Sequence, residues 1–320
     1  MGKTAGRLGR IAAVGALAAA AGLAIPGGGH AVPAAEPRIF VADNALGTVS
    51  EIGANRSVVE RAGDLTAPTG VALGGDRLYI ADTAGPRPEI VSTDLAGGYR
   101  HTVSGEVKPY DLVVHRDRLI VSDWTEADFG LVTMGLGGGD RRMIVSGLEE
   151  HEGALVLPAG VATAGQTVYF TDLYADRILQ VGLDGSGLST VVDEGLSSPT
   201  GIAAYRGELF VADTTADRVV RVDPGTGQVR EVLTAADGIT LPGDVAVHGS
   251  RLYVTSHSPD GRRGALVRAG LDGSDPVQIA ALDRPNGIAI WSPLPDFPGA
   301  DVVCIGVLEP LCEMVTGSLG

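Results

Sequence analysis

The chain repeats one hairpin motif at a nearly constant interval, and this repeat constrains the fold more than any other feature. The clearest copy, Pro199 to Asp213, reads PTGIAAYRGELFVAD, which is two short apolar runs joined by an Arg-Gly turn. Such a pattern predicts a β-hairpin. The first apolar run recurs at intervals of 41, 49, 41, 43 and 43 residues, starting at Pro68, Pro109, Pro158, Pro199, Pro242 and Pro285. A fixed period of this size predicts an array of similar structural units.

The second apolar run also occurs six times, and its copies are offset from those of the first. These copies end at Asp43, Asp82, Asp123, Asp172, Asp213 and Ser256. The copy ending at Asp43 therefore has no first run before it, and the run at Pro285 has no second run after it. A closed ring explains both ends, because the strand at Pro285 can then pair with the strand at Ile39 and remove the open sheet edges.

Each unit has room for four strands. In the fourth unit the apolar runs and turn signals place them at about residues 202–205, 208–212, 218–223 and 228–233. Outside the N-terminus no segment keeps a 3.6-residue apolar period over three turns, so we expect almost no helix.

The N-terminal residues 1–35 are typical of a secretory signal. Lys3, Arg7 and Arg10 precede an uncharged run from Ile11 to Ile25 and a stretch of small residues. The alternative is a retained anchor helix, although about 15 apolar residues are short for a membrane span. Removing residues 1–35 takes away three basic and no acidic residues, so the formal charge of -15 becomes -15 - 3 = -18. This balance disfavours nucleic acid and anionic lipid as partners.

The sequence divides into the signal at 1–35, one repeat domain at 36–290 and a C-terminal tail at 291–320. The only two cysteines, Cys304 and Cys312, lie in this tail. In an exported protein they are expected to form a disulfide that fastens the tail. We expect a secreted monomer with no membrane span once the signal is cleaved.

Two segments resemble known repeat families. The runs VYFTDLYADRILQVGLDGSG from Val168 and LFVADTTADRVVRVDPGTG from Leu209 look like the YWTD and NHL repeats. The resemblance covers about residues 38–290. It implies an all-β fold, a six-bladed β-propeller closed between its N-terminal and C-terminal strands, related to the TolB-like, gluconolactonase and strictosidine-synthase-like propellers. Because propellers have many functions, it implies no single activity.

The aspartates that end the second runs could be mistaken for a ring of metal ligands. A residue that recurs in nearly every unit more plausibly repeats a structural hydrogen bond, and we adopt that interpretation.

Positions that vary between the copies are better candidates for a site. In a propeller the first strand of each blade lines the central channel, so the residues just after each proline lie at the channel mouth. The second motif position reads Thr69, Tyr110, Ala159, Thr200, Gly243 and Asn286. The third reads Gly70, Asp111, Gly160, Gly201, Asp244 and Gly287.

Asp111 and Asp244 interrupt the glycines three copies apart, which places them half a turn from each other in a six-fold ring. Two carboxylates in a confined channel need a cation, a proton or hydrogen-bond donors. With Asn286 they offer hard oxygen ligands, so calcium or another divalent cation in the channel is the one cofactor the sequence suggests. The alternative is that each carboxylate caps a turn or binds channel water.

The related enzymes supply a comparison at this position. The resemblance implies zinc-binding histidines for a peptide-amidating lyase, and the six copies contain none here. For a gluconolactonase it implies a Glu, Asn and Asp set, of which Asn286 matches in kind, Asp244 is displaced by one position, and the glutamate has no clear counterpart. The glutamate base of a strictosidine-synthase-like enzyme has no assignable position either.

Long loops on the same face form the second candidate region. The 49-residue unit has extra length at residues 124–130 and 147–157, which include Trp124 and His151. The fifth full unit has a long loop at residues 257–264 with His257 and Arg262. Long loops on a rigid scaffold often bind ligands, although a charged loop can also be merely solvated.

The sequence thus predicts a secreted binding scaffold whose channel-mouth face recognises a protein, a glycan or a small molecule. The alternative is a metal-dependent lactonase or hydrolase, or a strictosidine-synthase-like enzyme. The ligand-binding candidates are Thr69, Tyr110, Asp111, Thr200, Asp244, Asn286, Trp124, His151, His257 and Arg262.

Overall fold

The computed structural model of the protein describes residues 37–126, 129–147, 151, 153 and 155–292. The predicted signal at 1–35, nearly all of the tail at 291–320 and the Cys304–Cys312 disulfide lie outside the described residues.

The described chain forms 24 strands in six four-stranded sheets. Blade 1 comprises β4 Pro68–Gly74, β5 Arg77–Asp82, β6 Glu89–Asp94 and β7 His101–Ser104; blade 2 comprises β8 Pro109–His115, β9 Arg118–Asp123, β10 Gly130–Gly135 and β11 Arg142–Ser146. Blade 3 comprises β12 Pro158–Ala164, β13 Thr167–Asp172, β14 Arg177–Gly182 and β15 Ser189–Val192; blade 4 comprises β16 Pro199–Tyr205, β17 Glu208–Asp213, β18 Arg218–Asp223 and β19 Gln228–Leu233. Blade 5 comprises β20 Val245–His248, β21 Arg251–His257, β22 Gly264–Gly270 and β23 Val277–Leu282; blade 6 comprises β24 Pro285–Trp291 with β1 Arg38–Asp43, β2 Thr48–Ile52 and β3 Val58–Ala62.

Blade 6 closes the ring by joining the two ends of the described chain. Strand β24 pairs antiparallel with β1, with Ile39 opposite Ile290 and Phe40 opposite Ala289. The sheet order is β24-β1-β2-β3, whereas in the other five blades all four strands are consecutive. The predicted six-bladed, closed, all-β architecture is confirmed.

Local sequence explains the hairpins. Between β16 and β17, Arg206 and Gly207 have φ of 50° and 78°. Positive φ at both central residues is the requirement of a type I′ turn, whose twist suits a two-residue hairpin.

The hydrophobic core lies between neighbouring blades. Phe210 of blade 4 is buried with Val245, Leu252 and Val267 of blade 5. Phe40 of blade 6 is buried in the same way against blade 1. Burial of one such side chain stabilises the fold by about 1.5 to 3 kcal/mol. Each blade therefore shares hydrophobic cores with both of its neighbours.

Among the described residues the helical structure consists of two short 3₁₀ turns, Thr214–Ala216 and Ala235–Asp237. The expectation of almost no helix is confirmed for this part of the chain, and none of its helices has the length and apolar character needed to cross a membrane.

The recurring aspartates hold backbone together. The Asp82 carboxylate accepts hydrogen bonds from the N–H groups of Thr66, at 2.9 Å, and of Ala67, at 2.7 Å, just before β4. Asp43 accepts one from the Asp283 N–H at 2.9 Å across the ring closure. At the sixth position the Ser256 hydroxyl accepts the Thr240 N–H at 2.9 Å. Each of these side chains ties the end of a second strand to the segment leading into an inner strand, which confirms their structural interpretation.

Candidate functional site

The first strand of each blade faces the central axis, and these inner strands all begin on the same side of the molecule. They are β4, β8, β12, β16, β20 and β24. We call the side on which they begin the front face and the side on which they end the back face. The second strands run the opposite way and end at the front face, as the pairing of Pro199 with Asp213 shows.

The third motif positions form a closely packed ring around the channel, which we call the constriction ring. Its members are Gly70, Asp111, Gly160, Gly201, Asp244 and Gly287. A Cβ at Gly287 would lie 2.5 Å from the Thr69 carbonyl oxygen and 2.7 Å from the Val71 nitrogen. A Cβ at Gly160 would clash with the Thr200 carbonyl oxygen. Glycine occurs here because neighbouring backbones touch.

The two aspartates of the ring occupy equivalent places in its two halves. Asp111 Oδ2 accepts the Val161 N–H at 2.9 Å, and Asp244 Oδ2 accepts the Ile288 N–H at 2.8 Å. Each donor belongs to the inner strand of the next blade. These strands are sheet edges, whose N–H groups have no strand partner on the channel side. The carboxylates therefore satisfy edge donors and join adjacent blades.

Each aspartate also contacts the glycine of the preceding blade. A Cβ at Gly70 would lie 2.6 Å from Asp111 Oδ1, and one at Gly201 would clash with Asp244 Oδ1. The arrangement Gly, Asp, Gly in blades 1 to 3 is thus repeated in blades 4 to 6. The predicted half-turn separation of the two carboxylates agrees with this pseudo-two-fold arrangement.

Two threonine hydroxyls on the front side of the ring, in blades 1 and 4, are related in the same pseudo-two-fold way as the aspartates. Thr69 Oγ1 donates to the Tyr110 carbonyl at 2.5 Å, and Thr200 Oγ1 donates to the Gly243 carbonyl at 2.8 Å. Both hydroxyls, predicted as ligand contacts, therefore already bond the neighbouring blade.

The free space in the channel differs greatly on the two sides of the aspartates. On the front side a cavity of about 20 Å³ is lined by Thr69, Tyr110, Asp111, Asp244 and Asn286, together with glycines of the ring. This volume holds about one water molecule or one ion. On the back side a channel of about 580 Å³ extends from the two aspartates to the back face. Sequence reasoning placed the binding space at the front and missed the larger cavity behind.

Burial changes the acidity of these groups. It raises the pKa of Asp111 to about 6, against the opposing effect of the Val161 and Leu112 backbone N–H groups. Burial, and then the charge of Asp111, raise the pKa of Asp244 well above its usual range. Burial also raises the pKa of Tyr110 to about 12, with a further contribution from the two carboxylates. The pair thus favours retaining a proton.

An aromatic stack lies beside the front cavity. The rings of Tyr110 and Trp124 are 4.2 Å apart with an interplanar angle of 11°. Trp124 Nε1 donates to the Pro158 carbonyl at 2.7 Å, which fixes the indole between blades 2 and 3. Two of the predicted ligand-binding residues therefore form one rigid element of the front rim.

His257 was predicted in a loop, and this placement was wrong: it is the last residue of β21. A Cβ at Gly243 would lie 3.3 Å from His257 Nε2 and 3.2 Å from Asn286 Oδ1. The two side chains therefore converge on the front rim. Burial lowers the pKa of His257, so its imidazole is neutral at pH 7. Strand β21 extends one residue past the position at which the second strands of the other blades end.

His151 and Arg262 do not join this group in the described contacts. The His151 carbonyl accepts a hydrogen bond from Arg177 Nη1 at 3.2 Å. Arg262 lies exposed on the β21–β22 turn, where its N–H donates to Asp260 Oδ1.

Sequence reasoning missed the hydroxyl just before the end of the second strand. Thr255 Oγ1 accepts the Asp244 N–H at 2.8 Å and donates to the Asn286 carbonyl at 2.9 Å. Thr171 and Ser122 also bond the next blade from the equivalent position. The signal was present in the runs LIVSD, VYFTD and LYVTS.

The oxygen atoms that line the front cavity are of the type that binds a small hard cation. Asp111, Asp244 and Asn286 all line this cavity, and its volume matches a single ion. Within the described residues, no three His, Cys, Asp or Glu side chains cluster to hold a metal. A cation here would therefore depend on the Asn286 amide and on backbone carbonyls besides the two carboxylates.

Comparison with solved structures shows the fold of this chain in other proteins. A chain from the crystal structure of a nidogen/laminin complex matches with a TM-score of 0.66 and 17% sequence identity, over 80% of this chain and 98% of that chain. This similarity agrees with the six-bladed propeller architecture. No family model matches the chain.

Proposed function

We propose that this protein is an exported binding propeller that captures a partner protein on its front face. The observation that supports this most is the size of the front cavity, about 20 Å³. Small-molecule sites usually have volumes of roughly 300 to 1,000 Å³. Recognition on this face would then depend on its surface rather than on a pocket.

Exposed apolar side chains on the front face support the proposal. Tyr174, in the β13–β14 turn, is 65% exposed, and Leu155, just before β12, is 38% exposed. The segments that hold them are joined by a hydrogen bond from the Leu173 N–H to the Leu157 carbonyl at 3.1 Å. Aromatic and apolar side chains presented together are typical of protein interfaces.

The similar solved structure adds general support. The matched chain belongs to a complex of nidogen with laminin. An identity of 17% supports a shared architecture but not a shared partner. The partner of the present chain must therefore be inferred from its own surface. The formal charge of -15, which becomes -15 - 3 = -18 without residues 1–35, favours a partner surface that is neutral or basic.

Site-specific photo-crosslinking tests the proposal. A photoreactive phenylalanine analogue placed at Tyr174 should give a discrete adduct in an extract of the source organism. The matched control is the same analogue at Tyr99, which is 85% exposed in the β6–β7 turn on the back face. Identical adducts from both positions, or none from position 174, would contradict the proposal.

A second candidate function is cation-dependent hydrolysis of a lactone-like substrate. The observation favouring it is the convergence of His257 and Asn286 next to the cavity lined by Asp111 and Asp244. Calcium, when bound, would polarise a substrate oxygen, while the neutral His257 could accept a proton.

Metal analysis and a lactone assay test this candidate together. It requires a stoichiometric divalent ion that is lost from Asp111→Ala, and hydrolysis that is lost from His257→Gln. A metal-free protein with no lactone hydrolysis would remove it.

A further inference from the structure

The largest unexplained feature of the axis is the channel behind the constriction ring. Its volume of about 580 Å³ lies within the usual range for small-molecule sites. It is lined by the inner strands, and its partly exposed apolar residues include Leu73, Val113, Val247 and Ile290. It reaches the back face between the turns that follow these strands. The channel therefore has room for an elongated small molecule.

The inner end of this channel is acidic. Asp111 and Asp244 line it there, and the free space beyond them falls to about 20 Å³. Backbone N–H groups of Val161 and Ile288 bond Oδ2 of Asp111 and of Asp244 at 2.9 Å and 2.8 Å. Oδ1 of Asp244 also accepts the Val245 N–H at 2.8 Å. The two carboxylates are thus fixed in place before any ligand arrives, which lowers the entropic cost of binding.

We infer that the back-face channel binds a small organic cation, with an ammonium head group at Asp111 and Asp244 and an apolar body along the channel. Two carboxylates in one confined site are stabilised by a cation placed between them. An ammonium group supplies three N–H donors, and the walls supply apolar surface for the body. This inference is independent of partner binding at the front face.

The other ionisable side chains that line the channel lie at its opposite end. His115 and Arg116 line it near the back face, where β8 ends. Arg116 follows Asp111 by five positions, which corresponds to about 17 Å at roughly 3.4 Å per residue. This separation leaves the acidic end free of a competing positive side chain from β8. A ligand with a cationic head group would therefore enter from the back face with this group directed toward Asp111 and Asp244.

Three probes with the same apolar body test the inference without any mutation. Hexylammonium, hexanol and hexanoate differ only in the head group. In calorimetric titration of the protein at pH 8, hexylammonium should bind saturably. Hexanol should bind at least tenfold more weakly, and hexanoate should not bind. Equal binding of the three probes would contradict the inference, as would no binding of hexylammonium. Calcium chloride alone is the fourth titrant, and binding of calcium without binding of hexylammonium would also contradict it.

Variants then locate the site. Asp111→Asn keeps an acceptor for the Val161 N–H while removing the charge, and should weaken hexylammonium at least tenfold. Asp193→Asn, which removes the charge of an exposed acid after β15, is the matched control and should leave binding unchanged. Thr163→Phe, which fills the channel wall, should weaken both hexylammonium and hexanol. Unchanged hexylammonium binding in Asp111→Asn and in Thr163→Phe would overturn the inference.

Discussion

Asp111 and Asp244 interrupt the glycines of the constriction ring without disturbing it, because each carboxylate occupies space that the glycine of the preceding blade leaves open. Each accepts an N–H from the next inner strand, which a glycine could not do. Their structural and chemical roles are therefore combined in the same atoms. Both roles depend on the protonation state of the pair.

The first prediction concerns the pH dependence of stability. The pKa of Asp111 is raised to about 6 in the folded protein, so the folded state holds a proton that the unfolded state has released. The resulting stabilisation is fully present below the unfolded pKa, near 4, and is lost as the pH rises through about 6. Asp111→Asn should remove this loss. The stability of the variant relative to the wild type, followed by melting temperature, should therefore rise between pH 4 and pH 8. The expected rise in the free energy of unfolding is about 2 to 3 kcal/mol.

Asp193→Asn serves as the control for this measurement, since it removes an exposed carboxylate of the same type. Its difference from the wild type should stay nearly constant over the same pH range. A constant or falling difference for Asp111→Asn would count against a raised pKa at this position.

The second prediction concerns the close backbone contacts of the ring. Gly287→Ala places a Cβ 2.5 Å from the Thr69 carbonyl oxygen, so the strands must separate. We expect a loss of about 1 to 3 kcal/mol in the free energy of unfolding, measured by denaturant titration. Gly137→Ala is the matched control, because a Cβ there meets nothing within 4 Å. Equal stability of the two variants would refute the close approach.

At the scale of single residues, sequence reasoning found the ring by aligning the copies of the repeat. It could not find the bonding partners. The Val161 N–H lies 50 positions from Asp111 and becomes its neighbour only when blades 2 and 3 pack. The one-residue extension of β21 that turns His257 toward Gly243 is also a tertiary effect. A repeat fixes which positions are equivalent, whereas packing fixes what each one contacts.

Among the elements, the closing blade differs from the others because its strands come from both ends of the described chain. Asp43 accepts N–H groups of Asp283, at 2.9 Å, and Arg284, at 3.2 Å, and so fastens the start of β24 to the end of β1. In the other blades the equivalent bond lies within one continuous segment of about 16 residues, as for Asp82 and Thr66. At the closure this hydrogen bond therefore joins the two ends of the described chain, whereas in the other blades it joins residues of one segment.

The third prediction follows from this difference. Asp43→Ala should increase amide hydrogen exchange along β24, because it leaves the N–H groups of Asp283 and Arg284 without their acceptor at the ring closure. We expect a loss of about 1 to 3 kcal/mol in local stability. Asp82→Ala removes the equivalent bonds inside blade 1 and should leave exchange in β24 unchanged. If exchange in β24 responded equally to both variants, the closure would not depend on Asp43.

Strand positions were predictable because turn residues and short apolar runs are local signals. The expected second strand of blade 4 at 208–212 lies within the observed β17, Glu208–Asp213. The expected first strand at 202–205 was shorter than the observed β16, Pro199–Tyr205. A register shift between Pro199 and Ile202 explains the difference, since it interrupts the pairing where the ring narrows.

For the whole molecule, closure of six blades is what brings Asp111 and Asp244 together. The two residues are 133 positions apart in sequence, counted from their numbers, and no single blade contains both. The small cavity in front of the pair and the larger channel behind it are likewise lined by residues from several blades. The sequence predicted the ring of blades but had no local signal for this asymmetry.

The central claim is that these two carboxylates interact across the axis of a closed ring. Carboxyl NMR titration of protein with ¹³C-labelled aspartate measures this interaction directly, through the pKa of Asp244 in the wild type and in Asp111→Asn. Because the charge of Asp111 helps to raise the pKa of Asp244, we predict that the pKa of Asp244 falls in the variant. An unchanged titration of Asp244 would place the two carboxylates apart and contradict the account.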